Sequence, residues 1–400
     1  MKSSIKRVAA ICAACAACAA WAPLLAGGSP EPEAWNTGEG LTFDLTAEQP
    51  VELPDRPWTP RVMALPGPDM GMEKAALRLS LPNFTNSVSV QGQRYTFTQL
   101  GADPSRSRAP KTVLPVVIIP VTAVFDDGSF FDPTSWDPCA HLFKPTMLAA
   151  QSPIFQPADY GDGARQYLEE FRRLEYWSLT GAPGGRNPNY SVTVAPNYLH
   201  VGGFQVGALV KFHGFPTKPA TCGRIGLVDI HQWDSFVRQT VLPAFRQYGT
   251  GPGSLVLFLL SNVVFYDGNH CCTLGYHSWL NLGGVQTYGV AEIDSSRYFK
   301  NVFDVGPLAH ELGEWYDDPL VSNATPRWGH VGQVSGCQGN LEVGEPLSGH
   351  FLEVAMPNGV RYHPQELAFF SWFFGQAPSL GFDGWYSMGG TFRAPAAPCP

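Results

Sequence analysis

Alternating apolar and polar positions along the chain predict several β-strands. The alternation in residues 87–99, SVSVQGQRYTFTQ, continues on both sides of Gln91 and Gly92 and predicts a hairpin. Residues 112–125 and 254–266 are longer apolar runs rich in β-branched residues, and we expect both to be buried strands, the second central in its sheet. Residues 126–128 predict a turn. Shorter strands are expected at 190–194, 205–212, 223–230 and 285–293.

Apolar residues that recur every three or four positions predict four helices. Residues 165–177 carry Tyr167, Leu168, Phe171 and Leu174 on one side of such a helix. Similar patterns predict helices at 232–248, 304–319 and 363–374. The helix predicted at 304–319 follows the predicted strands and precedes a Gly-rich region in which we expect little regular structure. This order predicts an α+β fold with a mixed sheet, one site-bearing helix and a loop-rich C-terminal part.

The helix predicted at 304–319, DVGPLAHELGEWYDDP, has start and stop signals of its own. We expect Gly306 or Asp304 to cap it and Pro307 to lie in its first turn, where a missing N–H has no partner to lose. Pro319 is expected to end it. Three apolar residues recur at helical spacing and are expected to face the core: Leu308, Leu312 and Trp315.

The other face of this helix carries residue types that bind divalent metals. His310 and Glu314 are four positions apart and therefore lie one turn apart on the same face, while Glu311 points to the side of that pair. A helical His-Glu-x-x-His sequence binds one metal through two imidazoles and leaves its Glu free to accept a proton from water. Here a carboxylate replaces the second imidazole. It is an acceptable ligand for zinc, the cation we expect, and it also suits harder ions. The alternative is a surface helix with a few acidic residues and one exposed His.

A third ligand has to come from elsewhere in the chain. The segment 341–349, LEVGEPLSG, offers acids with no charge-pairing partner nearby, and we expect Glu342, and after it Glu345, to complete the site. Asp317, seven residues after His310, is a further ligand or an acceptor that holds the imidazole. A site completed only by acids would instead suit Ca²⁺ held for structure. Three histidines are alternative ligands, or groups that polarise a substrate carbonyl: His277, His330 and His350.

These motifs resemble two groups of proteins. HELGEWYDDP at 310–319 is similar to the active-site helix of zincin-like metallopeptidases, which also use a sheet, then the ligand helix, then a loop-rich part. With LEVGEP at 341–346 and SPIF at 152–155, it also resembles a class of secreted bacterial proteins. That class is distantly similar to the plant EXORDIUM, or phosphate-induced, proteins. The resemblance covers about the last two-thirds of the chain and implies a zincin-like mixed sheet. The plant proteins lack the His-Glu pair, so this fold does not by itself imply hydrolysis.

The N-terminus predicts export. Lys2, Lys6 and Arg7 precede the short apolar run 8–20, so we interpret residues 1–28 as a signal peptide. Residues 29–110 are rich in Pro, Glu and Gly, and we interpret them as a lead-in with one β-hairpin. Whether this segment is a propeptide that is removed on maturation stays open. Residues 111–400 then form a metallopeptidase-like domain. We expect the mature protein to be secreted, in an extracellular or periplasmic location.

Charge and hydropathy limit the partners. The formal net charge is −8, and removal of the three positive charges at Lys2, Lys6 and Arg7 leaves −11. The sequence has no basic run, so we expect no nucleic-acid partner. After the signal peptide, no stretch is apolar for long enough to predict a membrane span. The expected partner is a protein or peptide substrate, and the oligomeric state stays open.

Six cysteines remain once the signal peptide is removed, an even number that predicts disulfides in an exported chain. We expect the adjacent Cys271 and Cys272 to pair with two different partners. A thiolate metal site is the alternative, but these six cysteines include no C-x-x-C pair to support it. The remaining cysteines are Cys139, Cys222, Cys337 and Cys399.

The first functional hypothesis is a secreted zinc-dependent peptidase. Its catalytic residues are Glu311, which accepts a proton from water and returns it to the leaving amine, and His277. Its metal ligands are His310, Glu314, Glu342 and Glu345. The second hypothesis is a non-catalytic extracellular or cell-envelope binding protein on the same scaffold. The third is a carbohydrate-active hydrolase, because acids are plentiful and 11 Trp are available to stack on sugars.

Overall fold

Strand β5 (Thr112–Phe125) runs through the middle of a twelve-stranded mixed sheet. Its first half pairs in parallel with β9 (Val192–Tyr198), its middle with β15 (Leu255–Ser261), and its last residues with β12 (Ala208–His213). A long β-branched sequence favours such an extended, buried strand. This computed structural model describes residues 40–48, 58, 60–65, 67, 79–140, 143–161, 163–181, 185–201, 203–302, 304–376 and 384–400.

The regular elements alternate along the chain. The other strands are β1 (Leu41–Thr46), β2 (Arg61–Ala64), β3 (Asn83–Val90), β4 (Gln93–Leu100), β6 (Phe130–Phe131), β7 (Ala158–Asp159), β8 (Ala164–Arg165), β10 (His200–Val201), β11 (Phe204–Gln205), β13 (Thr217–Pro219), β14 (Arg224–Asp229), β16 (Val263–Asp267), β17 (His270–Asn281), β18 (Val285–Ile293), β19 (Ala324–Val331), β20 (Val334–Asn340), β21 (Val354–Ala355) and β22 (Arg361–Tyr362). The α-helices are α1 (Pro145–Ala150), α2 (Tyr167–Glu175), α3 (Trp177–Thr180), α4 (Ile230–Phe236), α5 (Leu242–Phe245), α6 (Gly306–Asp317) and α7 (Phe370–Phe373). A π-helical stretch (Val237–Val241) and 3₁₀ turns (Pro138–Ala140, Arg246–Tyr248, Glu345–Leu347) complete them.

The main sheet has the order β1-β12-β5-β15-β18-β17-β16-β14-β13, with β2 beside β17 and with β6 and β9 beside β5. From β1 to β18 each neighbouring pair is parallel. Strand β17 is antiparallel to both β18 and β16. The predicted combination of a large mixed sheet with a few helices is confirmed at this level.

Helices cover both faces of this sheet. On one face α6 and α2 pack on the sheet together with the β3–β4 hairpin and α7, and Leu312 and Phe171 belong to this core. On the other face the segment from α4 to α5 packs through Trp233, Val241 and Phe245. Because side chains alternate across a strand, the odd-numbered residues of β17 from 275 to 279 face α6. The sheet therefore presents His277 directly to the helix.

Residues Gly38–Pro400 form one compact unit. The lead-in predicted at 29–110 contributes β1 and β2 to the main sheet, and its hairpin β3–β4 packs into the core beneath α7. The predicted signal peptide, residues 1–28, lies outside the described residues. Within the described ranges, none of the helices is both long and apolar enough to cross a membrane.

Several elements match their predictions closely. The hairpin turns at Gln91 and Gly92, as the alternating pattern requires, with both residues at positive φ. The strands predicted at 112–125 and 285–293 have those bounds. The helix predicted at 165–177 is α2, and the one predicted at 232–248 is the α4–π–α5 segment, which runs on through Pro243. These elements share strong local periodicity, so little tertiary information is needed to predict them.

The prediction of one central strand at 254–266 is wrong. Asn262 adopts a left-handed conformation, with φ +54°, and divides the run into β15 and β16. The two strands are not neighbours, because β15 lies between β5 and β18 while β16 lies between β17 and β14. The Asn262 carboxamide holds the break, since its oxygen accepts the backbone N–H groups of Ser295 at 2.9 Å and Ser296 at 3.0 Å. Asn is among the few residues that tolerate this conformation.

Two predictions about the C-terminal part are also wrong. The helix expected at 363–374 is reduced to α7, because the residues before it are extended and form isolated bridges, Phe351 with Gln365 and Ala368 with Ser387. The backbone N–H groups of Glu366 and Ala368 donate to the distant carbonyls of His350 at 2.8 Å and Val343 at 2.9 Å instead of to helical partners. The Gly-rich region after α6, expected to have little regular structure, forms the β19–β20 hairpin.

The six cysteines of the described chain form three disulfides. Cys139 pairs with Cys222 and Cys337 with Cys399, at Cα separations of 5.8 and 6.0 Å that suit a disulfide. Cys271 and Cys272 are bonded to each other. The prediction that these two residues have different partners is therefore wrong, because the other four cysteines already pair among themselves.

Candidate metal centre

Helix α6 lies inside the molecule. All twelve of its residues are buried, so the alternative of a surface helix is wrong. Leu308, Leu312 and Trp315 pack into the core as predicted, and Pro307 occupies the first turn. Neither Gly306 nor Asp304 caps the helix, because Val305 is the N-cap residue and makes no side-chain cap. The helix ends at Asp317, two residues before Pro319.

His310 has one ring nitrogen held by a neighbour and the other aimed at acids. Its Nδ1 lies 3.2 Å from Gln365 Oε1, and the Gln365 amide is oriented by donating to the Gly344 carbonyl at 2.8 Å. Nδ1 therefore donates to Gln365, and the neutral ring keeps its lone pair on Nε2. That Nε2 lies 2.7 Å from Glu314 Oε1 and 3.8 Å from Glu345 Oε2.

His277, on β17, has the same arrangement with the nitrogens exchanged. Its Nε2 donates to the Asp318 carbonyl at 3.1 Å, so the lone pair of the neutral ring is on Nδ1. Nδ1 lies 3.2 Å from Glu311 Oε2 and 3.7 Å from Glu314 Oε2. The acceptor carbonyl is fixed because the Asp318 carboxylate binds the backbone N–H groups of Ser322 and Asn323. Asp318 thus organises the turn that follows α6.

The loop after β20 brings two more acids to the helix. Leu341, Val343 and Leu347 are fully buried and anchor the loop in the core. Glu342 Oε1 accepts from Asn340 Nδ2 at 2.9 Å and leaves Oε2 unpartnered, while Glu345 lies in the 3₁₀ turn. The alternation of apolar and acidic residues along this loop explains how it can be both anchored and charged.

Two glycines allow the close packing at this point. A Cβ on Gly344 would lie 2.5 to 2.6 Å from the His310 ring, and the Gly344 N–H donates to Glu314 Oε1 at 3.1 Å. A Cβ on Gly275 would lie 3.0 Å from Glu311 Cγ. Contacts under 3.0 Å require a neighbour to move, so Gly344 is needed for His310 to keep its position.

The structure brings together all six residues that the sequence analysis assigned to the site. We call this cluster the six-residue centre: His277, His310, Glu311, Glu314, Glu342 and Glu345. All six are 5 % exposed or less. In the part of the chain that the structure describes, no lysine or arginine forms an ion pair with any of its four carboxylates. Among the described basic side chains, the two imidazoles are the ones that lie within ion-pair distance of these carboxylates.

Burial shifts the pKa of every member of the centre. It raises the pKa of all four carboxyls well above the usual range, and repulsion from neighbouring carboxylates raises the pKa of each further. Burial also lowers the pKa of His277 to about 4 and lowers the pKa of His310. Both imidazoles are therefore neutral at neutral pH and cannot offset the charge of ionised carboxylates.

Several buried atoms of the centre have no hydrogen-bond partner. They are His310 Nε2, Glu311 Oε1, and the Oε2 atoms of Glu314, Glu342 and Glu345. A carboxylate oxygen and an imidazole lone pair are both acceptors, so they repel unless a proton or a cation lies between them. Ligand atoms of one tetrahedral ion lie about 3.4 Å apart, and the separations of 2.7 and 3.8 Å around His310 bracket that value. The residues therefore fit a divalent cation.

Comparison with protein-family models, curated proteins and solved structures gave no match to this chain. The chemistry of the centre therefore follows from its own residues.

Other candidates lie elsewhere. Asp317 pairs with Arg172 at 2.7 Å, so it is neither a ligand nor an acceptor for His310. His350 is exposed, and His330 lies 3.8 Å from Cys337 Sγ. This last pair is close to Cys399 as well, but both sulfurs are consumed in their disulfide and offer no thiolate. Neither histidine reaches the six-residue centre.

Sequence reasoning missed three residues that position the centre. Gln365 was assigned to a helix, and Asn340 and Gly344 were not singled out. A polar Gln inside the apolar run 363–374 is the one local signal that was present. The contact of Gln365 with His310 spans 55 positions of sequence, so no local pattern reveals it.

A cleft of about 560 Å³ lies at the start of α6. Gln365, Gly306 and Pro307 are among its lining residues. Part of the lining is polar, and the rest includes an aromatic and apolar group, namely Trp58, Val62, Leu274, Tyr298, Phe299 and Phe351. Since Gln365 also bonds His310, one side chain joins the cleft to the centre.

Proposed function

We propose that this chain is an exported, zinc-dependent peptidase with a zincin-like active-site helix, α6, lying on a mixed sheet. One observation carries the proposal. Two neutral imidazoles, His277 and His310, are each held by a hydrogen bond on the far nitrogen and aim a lone pair at buried carboxylates. Hydrogen bonds to the far nitrogen are how metal-binding histidines are oriented. Three disulfides support the expected extracellular or periplasmic location.

The donor set favours zinc over calcium. Imidazole with carboxylate suits Zn²⁺ and other transition cations, whereas Ca²⁺ prefers six or more oxygen ligands. His310, Glu314 and Glu345 would hold an ion on one side of the centre, and His277 with Glu342 lies on the other. A bound divalent cation supplies polarisation of a carbonyl and acidification of water.

The residues of the chain supply proton transfer and positioning. Glu311 Oε1 is buried and unpartnered, so Glu311 is the group available to accept a proton from the attacking water and return it to the leaving amine. His277 Nδ1, 3.2 Å from the other Glu311 oxygen, can accept a hydrogen bond from this carboxyl once it has taken up the proton. The aromatic and apolar group of the cleft would bind apolar side chains of a peptide, and Gln365 would lie between the peptide and His310.

A second candidate function is a non-catalytic extracellular or cell-envelope binding protein. The observation that favours it is the burial of the centre, since the side chains of His310 and Glu314 are 0 % exposed and that of Glu345 is 7 % exposed. A cation in such a site would stabilise the fold and need not meet a substrate.

The test uses the purified, disulfide-intact protein with an unfolded protein as substrate. We expect chelator-sensitive cleavage by the wild type, and loss of cleavage with retained zinc in Glu311→Gln. The control is Glu353→Gln, which changes an exposed acid and should leave cleavage unchanged. Full activity of Glu311→Gln rejects the mechanism. Bound zinc without any cleavage favours the binding protein, and chelator-resistant release of reducing sugar from polysaccharide favours the carbohydrate-active alternative.

A further inference from the structure

We propose that the six-residue centre binds two divalent cations side by side, with Glu314 as their shared ligand. This inference rests on the proposed use of the centre as a metal site. It goes beyond the single ion that a His-Glu-x-x-Glu helix would hold. Three properties of the centre support it: the arrangement of its ligand atoms, its charge, and the separate support of its two histidines.

The ligand atoms form two sets that share one residue. His310, Glu314 and Glu345 make one set, and His277, Glu314 and Glu342 make the other. Within each set the ligand atoms lie within 4.8 Å of one another, and every member is buried. The two Glu314 oxygens divide between the sets, with Oε1 2.7 Å from His310 Nε2 and Oε2 3.7 Å from His277 Nδ1. This is the arrangement of a carboxylate that bridges two cations.

The number of carboxylates in the centre matches two divalent cations. Its four glutamates carry −4 when ionised. One divalent ion would leave two buried negative charges, whose desolvation costs several kcal/mol each unless protons are taken up. Two divalent ions make the centre neutral with every carboxylate ionised. With two ions bound, Glu342 Oε2 and Glu345 Oε2 each have a cation nearby, although neither of these buried atoms has a hydrogen-bond partner.

Each set has its own supporting contacts. Asp318 orients His277 through its carbonyl, and Asn340 holds Glu342 on the same side. Gln365 orients His310 from the opposite side of the centre. Both imidazoles are fixed in the tautomer that frees a nitrogen toward the acids, as expected when each histidine binds metal. Paired ions of this kind clamp both oxygens of a reacting group in hydrolases.

The experiment counts ions per chain on the purified protein. After equilibration with Zn²⁺ and removal of free metal, native mass spectrometry should find two zinc ions on the wild type. Glu345→Gln and Glu342→Gln should each retain one ion, because each removes a ligand from a different set. Glu353→Gln should retain two. Saturation of the wild type at one ion overturns the inference, as does a variant pattern in which Glu342→Gln leaves both ions bound.

A second measurement needs no substitution and so does not depend on how the variants fold. Co²⁺ replaces Zn²⁺, and two Co²⁺ ions joined by Glu314 should be magnetically coupled. The electron paramagnetic resonance signal per cobalt should therefore fall between one and two equivalents. A signal that grows in proportion to cobalt up to two equivalents contradicts a shared ligand. One bound ion with chelator-sensitive cleavage rejects the pair and keeps the peptidase. Two bound ions without any cleavage support the pair of cations and reject the peptidase.

Discussion

Helix α6 borders two buried groups of charged side chains, and they differ in the source of their positive charge. In the group that we call the Arg172 cluster, Arg172 lies 2.7 Å from Asp317 and 3.4 Å from Glu175, with all three side chains fully buried. The guanidinium also stacks on the Tyr316 ring, 4.3 Å from its centroid. One turn away, Glu314 and its neighbours in the six-residue centre are also buried, and among the described residues no arginine or lysine pairs with them.

The two groups differ in whether a side chain of the protein balances the buried carboxylates. Two carboxylates and one guanidinium leave a single negative charge, which one proton removes, and burial raises the pKa of Glu175 well above its usual range. Four carboxylates with neutral imidazoles would need four protons or two divalent cations. Buried acids are tolerated when paired, as around Arg172, and in the six-residue centre a cation from solution can take the place of the arginine. A structural role fits the first cluster and a binding role the second.

Removal of Arg172 should have the largest effect on folding. In Arg172→Met the two acids lose their cation inside the core, and we expect the free energy of unfolding to fall by about 3–5 kcal/mol. Urea denaturation measures it. The matched control is Arg361→Met, whose exposed partner Glu353 should make its loss worth under about 1 kcal/mol. The loss in Arg172→Met should be the same with and without chelator. A metal-dependent loss would mean that the two clusters are not independent.

Removal of metal should have the next largest effect, and only through the six-residue centre. A cation at 100 times its dissociation constant stabilises the fold by about 2.7 kcal/mol per site. We expect a chelator to lower the urea midpoint of the wild type accordingly, with the disulfides kept oxidised. Glu314→Gln should be insensitive to the chelator. Equal midpoints for the wild type with zinc and with chelator would show that the centre is neutralised by protons instead.

A methyl group at position 344 should weaken metal binding without touching the Arg172 cluster. In Gly344→Ala the new Cβ would lie 2.5 to 2.6 Å from the His310 ring, so the imidazole must move. Displacing an oriented ligand typically costs 10- to 100-fold in affinity, or about 1.4–2.7 kcal/mol. Competition against a chromophoric chelator measures this. Gly336→Ala is the control, because its Cβ meets nothing within 4 Å. Unchanged affinity in Gly344→Ala would argue against His310 as a ligand.

The sequence alone predicts the helical part of the six-residue centre but not the contacts that complete it. His310, Glu311 and Glu314 are close in sequence, and helical spacing alone puts the first and third on one face. Glu342 and Glu345 could be nominated as acids without partners, but their division between two histidines could not. It depends on β17, which pairs with β18, and on the β20 loop, elements whose meeting is set by the whole sheet. The pairing of Asp317 with Arg172 was missed for the same reason, since 145 positions separate them.

The wrong predictions have a common physical cause. Asn262 interrupts an apolar run that periodicity treats as continuous, and its side chain binds the distant backbone of Ser295. The residues before α7 bond to distant backbone instead of forming a helix. Asp304 is similar. Its position suggests a helix cap, but its oxygens bind the backbone N–H of Val305 at 2.6 Å and both the backbone N–H, at 2.9 Å, and Nδ1, at 2.7 Å, of His363. A partner 59 positions away takes the place of the local cap.

The Asp304–His363 pair supplies the smallest expected effect and extends the comparison to a partly exposed carboxylate just before the same helix. The hydrogen bond to Asp304 raises the pKa of His363 in the folded protein. A raised folded pKa means that the imidazolium stabilises the fold below about pH 6.5, and that this stabilisation is lost as pH rises through the folded value. Solvent screens the pair, so we expect a few tenths of a kcal/mol.

Urea denaturation of the zinc-loaded protein between pH 5 and 8 measures the effect. The difference in stability between the wild type and His363→Gln should shrink as pH rises. A difference that grows with pH would have the wrong sign for an imidazolium–carboxylate pair. The expected loss of stability therefore increases with burial, from this pair to the six-residue centre and the Arg172 cluster. Water can replace a missing partner only where it reaches the charge.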